Sequence, residues 1–118
     1  MMGDPPLAFV VERRDGRAIE IRVNFGVFAG RAATPAEIDE LARWLLDEVA
    51  DVTIVSEDRH EFDEAVEAAV HQVRVEVASD RTPADRATRA VLAERLRERA
   101  EHWARTCIAD RHYDAADL

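Results

Sequence analysis

A dense cluster of ionisable side chains occupies residues 56–64, which read Ser-Glu-Asp-Arg-His-Glu-Phe-Asp-Glu. The cluster contains five carboxylates and one imidazole, groups that can bind a divalent cation or act as an acid–base pair. It lacks the central glycine of an EF-hand loop, so no metal is predicted. A protruding loop commonly carries contacts, and we therefore predict that Glu57, Asp58, His60 and Glu61 contact a partner protein. A metal role for these four residues is the alternative.

A second candidate is the glycine-bearing segment 26–31, Gly-Val-Phe-Ala-Gly-Arg, which leads into a helix start at Thr34. Free amides at a helix N-terminus attract anions, and an arginine adds a bidentate donor. Gly30, Arg31 and Thr34 are therefore candidates for binding a phosphate or a carboxylate. The spacing matches neither a Walker loop nor a dinucleotide fingerprint, and Glu37 competes for the same amides. The alternative interpretation is that the glycines only let the chain turn from strand to helix.

A nucleophilic site around the single cysteine is not predicted. Cys107 lies on the same helical stripe as Trp103, which indicates a buried and unreactive thiol. His102 points off that stripe, and His112 lies close to the C-terminus with Asp110 and Asp114. No catalytic residue and no cofactor are assigned.

A hairpin is predicted over residues 7–25, because apolar side chains alternate there around an Asp-Gly pair. A three-residue loop at 14–16 makes every facing pair apolar, namely Leu7 with Val23, Phe9 with Ile21 and Val11 with Ile19. A two-residue turn would pair Phe9 with Arg22 and mix the faces, so we predict the longer loop. Val10, Glu12, Glu20 and Arg22 then face water, and the second strand continues through Val27.

Two similar phrases, Thr-Pro-Ala-Glu at 34–37 and Thr-Pro-Ala-Asp at 82–85, predict helix starts. Each offers a capping threonine, a proline where its missing N–H costs nothing, and an acid against the helix dipole. The first helix is expected over about 34–49 and the second over 82 to about 109. At 1.5 Å per residue the second helix is roughly 42 Å long, more than the ~35 Å width of such a domain, which favours self-association.

Between the two helices the sequence predicts a second hairpin. Its first strand begins at 51–55, its turn falls within 57–64, and its long return strand ends at Val77 after a bulge near Ala69. A short helix at 62–70 is the alternative. Residues 1–6 are expected to be a disordered lead, 7–110 a single domain and 111–118 a frayed tail.

Composition limits the possible function classes. The net charge of −9 argues against nonspecific binding to nucleic acid or to anionic membranes. One cysteine, no signal peptide and no long apolar run predict a cytoplasmic protein. All sixteen basic residues are arginine, which together with abundant alanine indicates a GC-rich bacterial genome.

These patterns together predict an α+β fold in the order ββαββα, with a four-stranded antiparallel sheet and two helices on one face. The predicted function is protein–protein binding by a homodimer, as an assembly component or an antitoxin- or immunity-like factor, with an unidentified protein as partner. The alternative is a small enzyme or a ligand-binding domain, whose site would use Arg31 with His60 or Glu57 between the sheet and the first helix.

Overall fold

The described residues form one antiparallel sheet of four strands, with helices packed on one face. The computed structural model describes residues 6–11, 18–62 and 67–117, and it describes side chains in these ranges except at 57–62, 67–70 and 110–117. The elements are β1 (Ala8–Val11), β2 (Ile19–Val23), α1 (Phe25–Ala29), α2 (Pro35–Leu45), β3 (Thr53–Phe62), β4 (Glu67–Val77), a 3₁₀ turn (Ser79–Arg81) and α3 (Arg86–Asp117). The strand order is β1-β2-β4-β3. The predicted α+β class is confirmed, and α1 is an addition to it.

The core lies between the central strands and the helices. Branched side chains of β2 and β4 face each other across the strand pair, as Ile19 with Val77, Ile21 with Val75 and Val23 with Val73. All six are buried; α3 packs on β1 and β2 with residues at helical spacing, and α1 packs on β4. The buried positions of α3 are Ala93, Leu96, Ala100, Trp103, Ala104 and Cys107.

The β1–β2 register differs from the prediction. Phe9 pairs with Arg22 and Val10 with Ile21, which is the register of a two-residue turn. All four residues of β1 are apolar, so either register puts apolar side chains on the core face, and apolar pairing could not choose between them. Val10 therefore lies on the helix side of the sheet. The turn itself and Glu12 lie outside the described residues.

The face of the sheet opposite the helices carries Glu20 and Arg22, as predicted, but it also carries Phe9 opposite Arg22, and part of it is buried. Glu20 and Gln72 are each 6% exposed. The Arg22 guanidinium donates hydrogen bonds to both, at 2.7 Å to Glu20 Oε2 and 3.1 Å to Gln72 Oε1. Burial of these groups is tolerated because each has a hydrogen-bonding partner.

β2 ends at Val23 rather than continuing through Val27. Asn24 donates to the carbonyl of Pro6 at 2.8 Å and accepts from Gln72 at 2.7 Å, and this fixes the end of the strand. The chain then turns into α1, which packs against β4. Gly26 lies so close to His71 that an added Cβ would come within 2.8 Å of its Cβ. The alternation of apolar residues through Phe25 and Val27 therefore did not indicate a strand.

The first helix start is confirmed in detail. Thr34 accepts from the Glu37 amide, and the Glu37 carboxylate accepts from the Thr34 amide, so both bonds of a capping box are present. Pro35 occupies the first helical position. The helix ends earlier than expected, at Leu45, although Val49 is still buried.

The second hairpin is regular along its described length. Thr53 pairs with Glu76 and Phe62 with Glu67, with no shift of register between them. The bulge expected near Ala69 is absent from this ladder, and the strand extends to Phe62 through most of the predicted turn. Residues 67–70 belong to β4 rather than to a helix. Residues 63–66 lie outside the described part of the chain.

The second helix starts later than the Thr-Pro-Ala-Asp sequence at 82–85 predicted. Asp85, not Thr82, caps α3, because its carboxylate accepts from the Thr88 amide at 2.8 Å and from the Thr88 hydroxyl at 2.7 Å. The Thr82 hydroxyl instead donates to the Ser79 carbonyl. A 3₁₀ turn at Ser79–Arg81 precedes the phrase and reorients the chain. At its other end α3 is helical through Asp117, where a frayed tail was expected.

Candidate partner-binding surface

The predicted anion site at the start of α2 is filled by a carboxylate of the chain itself. Arg31 donates from Nη1 to Glu37 Oε1 at 2.7 Å and from Nη2 to Glu37 Oε2 at 2.8 Å. The Thr34 amide donates to the same carboxylate at 2.9 Å. Gly30 ends α1 with a φ of 74°, a conformation that favours glycine. The structure therefore brings all three predicted residues together, with Glu37 in the place of an external anion.

The electrostatics of this group agree with its geometry. The hydrogen bond from Arg31 is the main reason that the pKa of Glu37 falls to about 2, and the same bond raises the pKa of Arg31. The guanidinium also lies 5.3 Å from the centre of the Phe25 ring. Trp103 Nε1 donates to the Glu37 carbonyl at 2.8 Å. These contacts connect α1, α2 and α3, so the group stabilises the helix layer.

Cys107 is buried, as the sequence predicted. The residue is 5% exposed, and burial is the largest cause that raises the pKa of its thiol to about 12. His102 stacks on Trp44 with ring centres 5.0 Å apart. The side chains of Asp110, His112 and Asp114 lie outside the described residues. Among the described residues, no group of three or more His, Cys, Asp or Glu side chains is placed to bind a metal ion.

Residues 56–62 of the acidic cluster lie on a strand rather than on a loop. Glu57, Asp58, His60 and Glu61 all belong to β3 and pair with Gln72, His71, Ala69 and Ala68 of β4. The structure describes the backbone at these four positions but not their side chains. Consecutive strand residues alternate between faces, so Glu57 and Glu61 share one face and Asp58 and His60 share the other.

These paired residues form a two-stranded extension of the sheet. β2 pairs with β4 only from Val73 to Val77, whereas β3 pairs with β4 as far as Phe62 and Glu67. We call the segments 57–62 and 67–72 the β3–β4 arm. It is six residue pairs long, roughly 20 Å. α1 packs against its base, where Gly26 meets His71.

The arm combines high negative charge with an open strand edge. The two segments of the arm contain four carboxylates and one arginine, a formal charge of −3 out of the chain's −9. In the described sheet β3 is the last strand and pairs only with β4, so its other backbone edge is unpaired along ten residues. The arm is therefore an acidic ribbon that leaves the body of the sheet. The sequence located the charges, but the strand pairing was needed to show this extension.

Sequence reasoning missed a groove at the other end of the sheet. It lies between the β1–β2 hairpin and the first turns of α3, and it is lined in part by Arg86, Arg89, Ala90 and Ala93. The signal was present in the spacing of these four residues, which places them on neighbouring positions of one helix face.

Comparison of the chain with protein-family models, with curated proteins and with solved structures gave no match. In the described part of the chain, no helix is both long and apolar enough to cross a bilayer.

Proposed function

We propose that this chain is a small acidic cytoplasmic protein that binds a basic surface of another protein through the β3–β4 arm, and that it acts as a homodimer. The observation that carries this proposal is the arm itself, which extends six residue pairs beyond the last backbone pair with β2 and is rich in carboxylates. A two-stranded ribbon is marginally stable alone, so a partner surface would stabilise it.

The charge of the arm favours a partner of opposite sign. Complementary charge speeds association and excludes partners with the wrong sign, and it is screened as salt is added. An acidic ribbon that covers a basic surface fits an antitoxin- or immunity-like factor, or a component of a larger assembly. The same charge disfavours contact between two arms, so self-association would use another surface, and the length of α3 favours that helix.

The alternative of an enzyme or ligand site at Arg31 has less support. Both terminal nitrogens of the guanidinium are already bonded to Glu37, and the bidentate geometry satisfies the group without a ligand. A ligand there would have to displace a carboxylate whose pKa is about 2.

The test is affinity capture from the cells that produce the protein, with three forms of the chain as bait. One form is wild type. The second has a neutralised arm, with Glu57→Gln, Asp58→Asn, Glu61→Gln and Glu67→Gln. The matched control removes four exposed carboxylates elsewhere, with Asp39→Asn, Glu40→Gln, Asp51→Asn and Asp80→Asn.

We expect the wild type and the control to retain a specific basic protein that the neutralised arm loses, and we expect about 0.5 M salt to elute it. Equal retention by all three baits would show that the arm is not the contact surface. Absence of any specific partner would contradict the proposed function.

A further inference from the structure

The groove between the β1–β2 hairpin and α3 has a volume of about 180 Å³. Its apolar lining includes Val10 and Ile19 from the strands and Ala90 and Ala93 from the helix. Arg86 and Arg89 also line it. An apolar cavity of ~150 Å³ accommodates a benzene molecule, so this groove has room for about one large apolar side chain.

The two arginines of the groove differ from the other described arginines of α3. Arg95, Arg97, Arg99 and Arg105 each lie within 3.8 Å of a carboxylate. Within the described chain, neither Arg86 nor Arg89 forms such an ion pair. Arg89 Nη1 donates to the carbonyls of Pro83 and Ala84, both at 3.1 Å, and the Asp85 carboxylate is bonded to Thr88.

The position of these two cations is also unfavourable without an anion. Both lie in the first turns of α3, where the positive end of the helix dipole repels a cation. A carboxylate placed between them would be stabilised by both guanidinium groups and by the dipole. The charge at the groove is therefore complementary to an acidic ligand, in contrast to the rest of a chain whose net charge is −9.

The strand beside the groove has a backbone edge available for pairing. β1 is the terminal strand of the described sheet, and it pairs only with β2. The side chain of Val10 lies on the helix side of β1 and lines the groove. It is 38% exposed. An extended peptide that adds to such an edge gains main-chain hydrogen bonds, and pockets for alternate side chains give specificity.

We propose that the β1–α3 groove binds an extended segment of a partner protein that carries a carboxylate next to an apolar side chain. The backbone of the segment pairs with β1, the apolar side chain fills the space between Val10 and Ala90, and the carboxylate bonds to Arg86 and Arg89. This is a second binding surface. It shares no residue with the arm and goes beyond the function proposed for it.

The test begins with a phage-displayed library of random octapeptides, selected in parallel on the wild type and on Ala90→Phe. Ala90 is exposed, so phenylalanine fills the groove without entering the core. We expect peptides with an acidic residue beside a large apolar residue to be enriched on the wild type only. The most enriched peptide is then synthesised with a fluorescein label, and its affinity is measured by fluorescence polarisation.

The arginines are tested with that peptide. We expect the double variant Arg86→Gln/Arg89→Gln to bind it about tenfold or more weakly. The matched control is Arg95→Gln. Arg95 belongs to the same helix, is 63% exposed and lies outside the groove. This control variant should bind the peptide like the wild type. Equal midpoints of thermal unfolding in these variants confirm that each one is folded.

Several results would overturn the proposal. These are the absence of an enriched acidic and apolar pattern, equal enrichment on Ala90→Phe, or an affinity that the double variant leaves unchanged. A lower mass of Ala90→Phe in solution would show that a second copy of the chain covers the groove instead. The neutralised-arm variant should still bind the peptide, so failure here and failure of the proposed function are distinguishable.

Discussion

The Glu37 carboxylate accepts hydrogen bonds from Arg31 and from the Thr34 amide, and its pKa is about 2 instead of 4.5. Because this pKa is lower in the folded than in the unfolded chain, the ionised carboxylate stabilises the fold. The contribution is complete above about pH 4.5 and is lost as the pH falls towards 2.

We predict that Glu37→Gln lowers the free energy of unfolding at pH 7 by about 1–2 kcal/mol, because it breaks the bidentate pair with Arg31 and weakens the cap of α2. The difference from wild type should shrink between pH 4.5 and pH 2, when the wild-type carboxylate becomes protonated. Urea unfolding at several pH values measures both effects. Glu40→Gln, at an exposed position of the same helix, should behave like the wild type. A pH-independent difference would contradict this account.

The sequence identified Gly30, Arg31 and Thr34 as neighbours of one helix start but did not reveal what Arg31 binds. Local rules place Glu37 in the capping box, because threonine and glutamate stand three residues apart. The approach of Arg31 depends on α1 and on the left-handed Gly30, and neither was expected. A site made by a turn between two helices is therefore harder to predict than the start of α2, which the capping pattern indicates.

Among the elements, α1 is fitted tightly against β4 at a glycine. An added Cβ at Gly26 would lie 2.8 Å from the Cβ of His71 and 2.9 Å from its backbone nitrogen. Such distances require the helix or the strand to shift. Gly30, only four residues later, has open space around it but a left-handed backbone.

We predict that both Gly26→Ala and Gly30→Ala destabilise the fold, for different reasons. The first should cost about 1–3 kcal/mol through steric overlap and the second about 1 kcal/mol through backbone strain. Gly30→Asn should recover part of the lost stability, because asparagine tolerates the left-handed conformation. Gly26→Asn should lower the stability at least as much as Gly26→Ala. Thermal unfolding of the four variants checks this, and recovery by asparagine at position 26 would contradict the steric explanation.

Two predictions within the sheet failed where apolar residues did not alternate with polar ones, although strict alternation also misled at the end of β2, where α1 follows Val23. The four residues of β1 are all apolar, so the register depended on a turn that the pattern could not fix. Around Ala69 the strand carries small apolar residues on both faces, which suggested a bulge that is not there. The regular strand from Val73 to Val77 was predicted correctly because its polar and apolar residues alternate strictly.

For the whole molecule, the length of α3 is the strongest argument for a dimer. Its 32 residues correspond to about 48 Å, and the longest dimension of the molecule is also 48 Å. α2, its main helical neighbour, has only 11 residues and covers part of one side. Val91, on α3, is 54% exposed and offers an apolar contact.

We predict that size exclusion with light scattering gives about twice the chain mass of 13.3 kDa at micromolar concentration. Val91→Glu should shift the protein towards monomer, because a charge in an apolar contact is costly. Val27→Glu on α1, at nearly the same exposure of 53%, is the matched control and should remain dimeric. A mass of 13.3 kDa for the wild type would contradict self-association.

The order of the strands has a consequence for how the chain folds. The central pair joins Ile21 to Val75, 54 positions apart, and full cover of the face they share needs α3, which packs on β1 and β2. Contacts between distant parts of a sequence slow folding, because loop closure must precede them. Before α3 arrives, a band of branched apolar side chains stays open to solvent and to other chains. A chaperone that binds extended apolar segments would therefore recognise the unfinished β2–β4 pair.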